Sequence, residues 1–127
     1  MIDHFSMPVA DYARSKAFYA DAFKPLGWTM HMEVTPDQSG DGVWACGFGA
    51  TEPVFWIFGG RVGDTSHVAV RVGSRMDVDA FHAAALKAGA QDNGAPGPRP
   101  HYGANYYAAF VHDFDGHNVE AVCYANP

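Results

Sequence analysis

The chain of 127 residues contains an internal repeat in which one short unit occurs twice, and this repeat limits the folds that the chain can adopt. Each copy begins with a histidine at the start of an apolar segment, His4 in the first and His67 in the second. These histidines lie 63 positions apart, and Trp56 and Glu120, near the ends of the copies, lie 64 apart. Such near-equal offsets predict two similar structural units that share one core.

The apolar pattern within each copy predicts one helix and four strands in the order β-α-β-β-β. Period-two and helical spacing in the first copy predict a strand at 2–9, a helix from the N-cap Asp11 to Phe23, and strands at 28–34, 42–49 and 53–58. The same reasoning predicts the second copy as a strand at 66–72, a helix at 76–88 capped by Ser74 or Asp77, one short strand within 90–100, and strands at 105–113 and 117–124.

A glycine-rich segment at 59–64 separates the two copies and is the best candidate for a linker. We therefore predict one α+β domain over residues 1–127, with module 1 over about 1–60 and module 2 over about 65–127. Neither module would bury its own sheet alone. The modules are therefore expected to pack together within one chain or to exchange between two chains.

Composition excludes several classes of function. The net charge is −6 and the eight Lys and Arg residues are scattered, whereas a nucleic-acid-binding protein usually carries a basic stripe. No apolar run approaches the roughly 20 residues that span a bilayer, and no signal peptide is visible at the N-terminus. We therefore predict a cytoplasmic protein that binds neither nucleic acid nor membrane, with Cys46 and Cys123 as buried, reduced thiols.

Two histidines and one glutamate occupy repeat-related places and are candidates for a metal site. His4 and His67 open equivalent strands, and Glu120 lies in the middle of the otherwise apolar last strand. A carboxylate in such a strand is costly to bury unless it is paired or bound to a metal. Fe, Mn, Ni, Co and Zn all accept sets of His and carboxylate ligands that leave positions open for substrate. The alternative is that each residue has only a structural role.

Aromatic residues near these strands are candidates for the walls of a cavity, or alternatively for simple core. They are Trp56, Phe58, Phe110 and either Tyr106 or Tyr107. The segment 99–107 adds polar candidates in a loop framed by proline and glycine, and loops carry function disproportionately. Arg99 could receive a substrate carboxylate or phosphate, and His101 or Tyr102 could move a proton. The remaining histidines are interpreted as structural: His31, His82, His112 and His117.

Several of these segments together resemble the vicinal oxygen chelate superfamily, which includes glyoxalase I, extradiol dioxygenases, fosfomycin-resistance enzymes and bleomycin-resistance proteins. The resemblance covers essentially the whole chain, and its carriers are His4, the stretch Ser15-Lys16-Ala17-Phe18-Tyr19, His67, and Asp115-Gly116-His117-Asn118-Val119-Glu120. It implies paired βαβββ modules that form a cupped, incomplete barrel around a metal. It also implies that His4, His67 and Glu120 match the metal-ligand positions of the family.

One departure from the family pattern bears on the activity. Glyoxalase I carries a second carboxylate at the end of its first half, where this chain has Trp56, so lactoylglutathione lyase activity is not expected. The resemblance implies a metal-dependent enzyme that stabilises an enolate or alkoxide on a small substrate with vicinal oxygens, with Glu120 as the base. A bleomycin-resistance-type binding protein without catalysis is the alternative, and an extradiol-type dioxygenase the third. A homodimer is expected, with the pocket inside one chain or shared between two.

Overall fold

The computed structural model describes residues 1–127 and contains eight strands and three α-helices. The first module consists of β1 (Phe5–Val9), α1 (Tyr12–Phe23), β2 (Thr29–Val34), the short α2 (Pro36–Ser39), β3 (Ala45–Gly49) and β4 (Phe55–Gly59). The second module consists of β5 (His67–Arg71), α3 (Arg75–Lys87), β6 (Gln91–Pro98), β7 (Tyr107–His112) and β8 (Asn118–Cys123). The predicted β-α-β-β-β order therefore recurs in both halves, and α2 is an addition within the first.

Each module forms its own open, four-stranded mixed sheet. The first sheet has the order β1-β4-β3-β2, and the second has the equivalent order β5-β8-β7-β6. The pairs β1–β4 and β5–β8 are parallel, and the other pairs are antiparallel. The α+β class with two equivalent modules is thus confirmed, and the sheets do not close into a barrel.

The helices begin where side chains can satisfy their first N–H groups. The carboxylate of Asp11 accepts a hydrogen bond from the Arg14 N–H at 3.2 Å, so Asp11 is the cap of α1, as predicted. For α3, the Ser74 hydroxyl accepts from the Asp77 N–H at 3.1 Å, which decides between the two predicted caps. After α1, a 3-10 turn ends at Gly27, whose φ of 72° is a conformation that glycine adopts without strain.

Two segments are more ordered than the sequence pattern indicated. The Gly- and Pro-rich stretch after α3 forms the eight-residue strand β6, longer than the short strand expected there. It tolerates these residues because it is an edge strand, with register shifts on both sides of Gly94. The segment between the strands predicted at 28–34 and 42–49 contains α2, which Thr35 caps reciprocally with Gln38.

One continuous core joins the two modules. It contains 19 buried residues drawn from both sheets and from α1 and α3, which contact each other. The ring of Phe23 lies 4.8 Å from that of Phe55 in the first sheet and 6.2 Å from that of Phe81 on α3. Cys46 and Cys123 are buried, free thiols within this core. The modules therefore stabilise each other through their helices.

A buried polar network also joins the modules, near the end of β1. One Asp113 carboxylate oxygen accepts from the Tyr19 hydroxyl at 2.5 Å, and the other from the His117 N–H at 2.9 Å. The His117 Nδ1 accepts from the Ser66 N–H at 3.0 Å, so its Nε2 carries the proton that it donates to the Pro8 carbonyl at 2.8 Å. This imidazole therefore holds the end of β1 close to the start of β5.

The helices cover only one face of each sheet, and the predicted site residues Trp56, Phe58 and Glu120 lie on the other. Side chains alternate between the two faces of a strand. In β4, Phe55 and Ile57 are buried in the core whereas Trp56 and Phe58 are part-exposed on the open face. In β8, the core residues likewise alternate with Glu120. None of the helices combines the length and apolar character that crossing a membrane requires.

Candidate functional site

The open face of the second sheet holds two of the three predicted metal ligands. The Nε2 atom of His67, at the start of β5, lies 3.1 Å from Oε1 of Glu120 on the neighbouring β8. We call the depression around this pair the second-sheet cleft. It has a volume of about 480 Å³ and is lined by His67, Tyr102, Tyr106, Phe110, Asn118 and Glu120.

Hydrogen bonds fix how His67 and Glu120 face each other. The His67 Nδ1 lies 3.2 Å from the Asn118 carbonyl oxygen, which can only accept, so Nδ1 carries the hydrogen. In the neutral ring, Nε2 then presents a lone pair to the Glu120 carboxylate. Two electron-rich atoms at this distance need a proton or a cation between them. The pair therefore offers a nitrogen and a carboxylate oxygen as ligand atoms, and the Asn118 carbonyl orients the imidazole as backbone carbonyls commonly orient metal-binding histidines.

Glu120 is also held from its other side. It is only 2% exposed, and its Oε2 accepts a hydrogen bond from the Tyr106 hydroxyl. Burial, and then this hydrogen bond, raise the pKa of Tyr106 above its ordinary value, so the phenol remains a donor at neutral pH. Phe110 lies directly opposite Glu120 in the sheet, and its ring stacks on His67 at 6.2 Å. The carboxylate is thus oriented by a phenol and partly shielded from water.

The third predicted ligand, His4, lies in a separate cleft on the first sheet. Its imidazole is 56% exposed, its Nδ1 is 2.6 Å from Oδ1 of Asp3, and its ring centroid is 6.5 Å from that of Trp56. We call this depression, of about 380 Å³, the first-sheet cleft. Its lining includes His4, Ser6, Asp41, Trp56 and Phe58.

Within one chain, the three predicted ligands do not converge. His117 holds Pro8, near the end of β1, beside the start of β5, and His4 lies four residues before Pro8. Four residues of extended chain span roughly 13 Å. His4 and the pair formed by His67 and Glu120 consequently line different clefts. The three-residue site stays a prediction.

A different trio brings its potential ligand atoms within 4.8 Å of one another: Asp113, Asp115 and His117. Both His117 nitrogens already have partners, in Ser66 and Pro8. Both Asp113 oxygens are also hydrogen-bonded, so only one oxygen, Oδ2 of Asp115, is buried without a partner. These contacts show that the trio braces the turn between β7 and β8. A metal ion there would displace hydrogen bonds that join the modules.

Tyr107, predicted to bind substrate, lies on the opposite face of the second sheet and is corrected to Tyr106. The Tyr107 hydroxyl donates to Asp79 on α3 at 2.7 Å, and the Arg75 guanidinium lies 4.7 Å from its ring. Strand alternation puts consecutive residues on opposite faces. Because the sequence did not fix where β7 begins, it left Tyr106 and Tyr107 as alternatives. Only Tyr106 lines the second-sheet cleft.

Arg99, predicted to receive an anion, is occupied by its own loop. Its guanidinium donates to the carbonyl oxygens of Ala95 at 2.8 Å, Gly97 at 2.9 Å and Pro98 at 3.4 Å. These bonds brace the end of β6, so the expected role in anion binding is corrected to a structural one. The loop residues His101 and Tyr102 are exposed and stack at 4.1 Å, but only Tyr102 lines the second-sheet cleft.

Two residues beside the second-sheet cleft were not predicted from the sequence. The Tyr124 ring lies 5.3 Å from that of Tyr106, and the Arg71 guanidinium lies 4.5 Å from the Tyr124 ring. Arg71 has the same parity in β5 as His67, so strand alternation could have placed it on the open face. Tyr124 follows the last strand, and nothing in its local pattern marks it.

Comparison with known proteins identifies relatives of the whole fold. The sequence profile of the Glyoxalase/Bleomycin resistance protein/Dioxygenase superfamily matches residues 1–121. No curated protein matches the chain. A glyoxalase/bleomycin resistance protein from Albidiferax ferrireducens has a similar structure, with a TM-score of 0.69, 23% identity and 98% of each chain covered.

Two further similar structures belong to proteins with named functions. Glyoxalase I from Zea mays has a TM-score of 0.70 and 24% identity, over 96% of this chain but only 45% of that one. The fosfomycin resistance protein FosX from Listeria monocytogenes, complexed with Mn(II) and 1S,2S-dihydroxypropylphosphonic acid, has a TM-score of 0.68 and 18% identity, over 95% and 90% of the chains. Identities this low establish a common fold and no more.

Proposed function

Because this chain belongs to the Glyoxalase/Bleomycin resistance protein/Dioxygenase superfamily, we propose that it is a metal-dependent enzyme acting on a small substrate with vicinal oxygens. The observation that carries the proposal is the buried Glu120 carboxylate, whose Oε1 lies 3.1 Å from Nε2 of His67, while Nδ1 of the same ring is held by the Asn118 carbonyl. A divalent ion of the Fe, Mn, Ni, Co or Zn group satisfies both ligand atoms at once.

We further propose that His4 of one copy completes the site of a second copy in a homodimer. The open face of each sheet carries part of the predicted ligand set, and no single chain joins the two parts. The chain spans 45% of maize glyoxalase I, so two copies approach the length of that one chain. Two free, buried cysteines support a reducing compartment, the cytoplasm.

The residues around the pair divide the chemistry between them. A bound divalent ion would supply Lewis-acid stabilisation of negative charge developing on the substrate oxygens. Glu120 is the candidate base, because its carboxylate is buried and the Tyr106 hydroxyl fixes its orientation. Phe110 from one copy and Trp56 from the other would flank the substrate and exclude water. Trp56 cannot act as a ligand, so the proposed set is two histidines and one glutamate.

Mixing two defective variants tests the shared site. His4→Ala and Glu120→Gln each abolish both sites of their own homodimer under this proposal. In a mixed dimer, one site combines both defects and the other is intact. After random exchange, half of the dimers are mixed, so about one quarter of the metal-binding sites should return. Elemental analysis of each pure variant and of the mixture, after unfolding and refolding together, measures this.

Two results would contradict the proposed shared site. A site built within one chain predicts no recovery in the mixture, because every chain lacks one ligand. Metal bound at full stoichiometry by Glu120→Gln homodimers would refute the role of Glu120. A His31→Ala variant is the matched control: it removes an imidazole that binds the Gly49 carbonyl at 2.9 Å, outside both clefts, and should keep all metal.

A second candidate function is sequestration of a small molecule without catalysis. Aromatic side chains open to solvent line both clefts, with the part-exposed Trp56 and Phe58 in the first and the exposed Tyr102 in the second, and Asp41 adds an acidic group to the first. With the net charge of −6, these faces suit a cationic aromatic compound. Protein that takes up no metal on soaking, yet binds such a compound at the dimer interface, would favour this function over the enzyme.

A further inference from the structure

Arg71 lies on the same face of the second sheet as the proposed metal centre, although it is not one of its ligands. It is the last residue of β5, where the exposed His67, Ala69 and Arg71 alternate with the part-buried Val68 and the buried Val70. The Cα of Ala69 pairs with that of Glu120. Arg71 therefore stands on the open face two residues beyond the carboxylate, or roughly 7 Å along the strand.

Aromatic side chains hold the guanidinium near this face. It lies 4.5 Å from the ring of Tyr124, which lies 5.3 Å edge-on from Tyr106, and the Tyr106 hydroxyl binds Glu120. Stacking on a ring fixes the plane of a guanidinium without using its N–H donors. Arg71 is therefore oriented while its hydrogen-bonding capacity stays available.

No acidic side chain neutralises Arg71. The ion pairs of the chain are His4 with Asp3, Lys16 with Glu33, His67 with Glu120, and His82 with Asp92. Arg71 also makes no side-chain hydrogen bond, in contrast to Arg99, which is bound by three backbone carbonyls. The Arg99 guanidinium also lies near the second-sheet cleft, 5.5 Å from the Phe110 ring, but Arg71 is the one whose N–H donors have no protein acceptor.

We propose that Arg71 binds an anionic group of the substrate, such as a carboxylate, and thereby selects acids that carry their vicinal oxygens several bonds from that group. The inference rests on the proposed function, because the vicinal oxygens would occupy the centre at His67 and Glu120. A planar guanidinium receives a carboxylate through two parallel hydrogen bonds, which gives both orientation and affinity. Arg71 is thus a specificity-determining residue rather than a base or a ligand.

A pair of nearly isosteric probes tests the inference. 3,4-Dihydroxyphenylacetate carries two adjacent hydroxyls and a carboxylate across a ring, and 3,4-dihydroxyphenylacetamide replaces only the charge. Binding of each to the Zn(II)-loaded protein is measured by calorimetry, since zinc has no redox chemistry with catechols. The wild-type protein should bind the acid about tenfold more tightly than the amide, as expected for a charged hydrogen-bonded pair.

The substitutions separate the possible outcomes. Arg71→Gln should lower affinity for the acid to that for the amide and leave zinc content unchanged, and Arg71→Lys should restore part of the preference. Arg14→Gln is the matched control. The Arg14 guanidinium also stacks on an aromatic ring, 3.6 Å from the centroid of Phe114, and its substitution changes the net charge by the same amount. An unchanged preference for the acid in Arg71→Gln overturns the inference. Absence of zinc uptake refutes the metal centre, whereas an Arg71-dependent preference in that same protein would still support the anion site.

Discussion

Removing the Tyr106 hydroxyl should weaken metal binding without removing a ligand. In the structure this hydroxyl is the hydrogen-bond partner of Oε2 of Glu120, while Oε1 faces His67. Tyr106→Phe keeps the ring that packs against Tyr102 and Tyr124 at 5.3 Å on each side. The substitution therefore isolates the orientation of the carboxylate from the shape of the cleft.

Two magnitudes follow from this contact. A hydrogen bond to a charged group contributes about 1.5–3 kcal/mol, and the lower end is expected because Tyr106 borders an open cleft where water can replace it. The free energy of unfolding of metal-free Tyr106→Phe should then be about 1.5 kcal/mol lower than that of the metal-free wild type. Loss of a partner that orients a metal ligand typically costs 10–100-fold in affinity, and we expect a loss of this order.

The assay is urea unfolding of the metal-free protein, together with competition for Zn(II) against a chelator of known affinity. The neighbouring Tyr107→Phe is the control, since its hydroxyl binds the exposed Asp79 on the opposite face. It should cost less than about 1 kcal/mol and leave zinc affinity unchanged. The reasoning is wrong if both variants bind zinc as the wild type does, or if Tyr107→Phe loses as much affinity as Tyr106→Phe.

Three further predictions concern the scaffold. Phe23→Ala should lower the free energy of unfolding by about 3–5 kcal/mol in a single transition, since its ring joins both modules; two separate denaturant transitions would contradict the shared core. Hydrogen bonds from the Lys16 ammonium and, second, from a tyrosine hydroxyl lower the pKa of Glu33. The ionised carboxylate therefore stabilises the fold at pH values above about 4.3, its pKa in the unfolded chain. This contribution is lost as the pH falls through the lower pKa of the folded state. Urea titrations from pH 5 to 3 should therefore show a shallower acid loss in Glu33→Gln than in the wild type. Gly47→Ala should displace Trp56, because a Cβ there would lie 2.6 Å from the indole, and unchanged tryptophan fluorescence would refute that packing.

Most of the fold could be predicted from the repeat, because its apolar residues follow the periodicities of helices and strands. Asp11 caps α1, and Phe18 and Phe23 point into the core as helical spacing requires. The stretch that became β6 was harder to interpret, since Gly94 and its neighbouring prolines normally interrupt strands. Its partner β7 supplies the pairing that its own sequence does not indicate. Local propensity fails there because tertiary pairing decides the outcome.

The site was less predictable because its geometry depends on side-chain partners. His67 and Glu120 lie together because they stand on neighbouring parallel strands. Arg99 was misread because a guanidinium in a loop can bind carbonyls of its own chain as readily as a ligand, and no sequence pattern distinguishes the two. Arg71 was not predicted, because an arginine at the end of a strand has the sequence pattern of a solvated surface residue. Its contact with the Tyr124 ring depends on the tertiary structure.

The position of His4 shows why a repeat predicts equivalence and not proximity. Two modules related by a pseudo-twofold axis place His4 and His67 at matching points of their own sheets, whether those sheets face each other or lie apart. Here α1 and α3 contact each other within the core, and His117 fixes the end of β1 beside the start of β5. That arrangement leaves both ligand-bearing faces open. A symmetric dimer that covers the second sheet of one copy with the first sheet of another necessarily forms the same contact twice. In the proposed dimer, one set of residues would therefore give two equivalent sites.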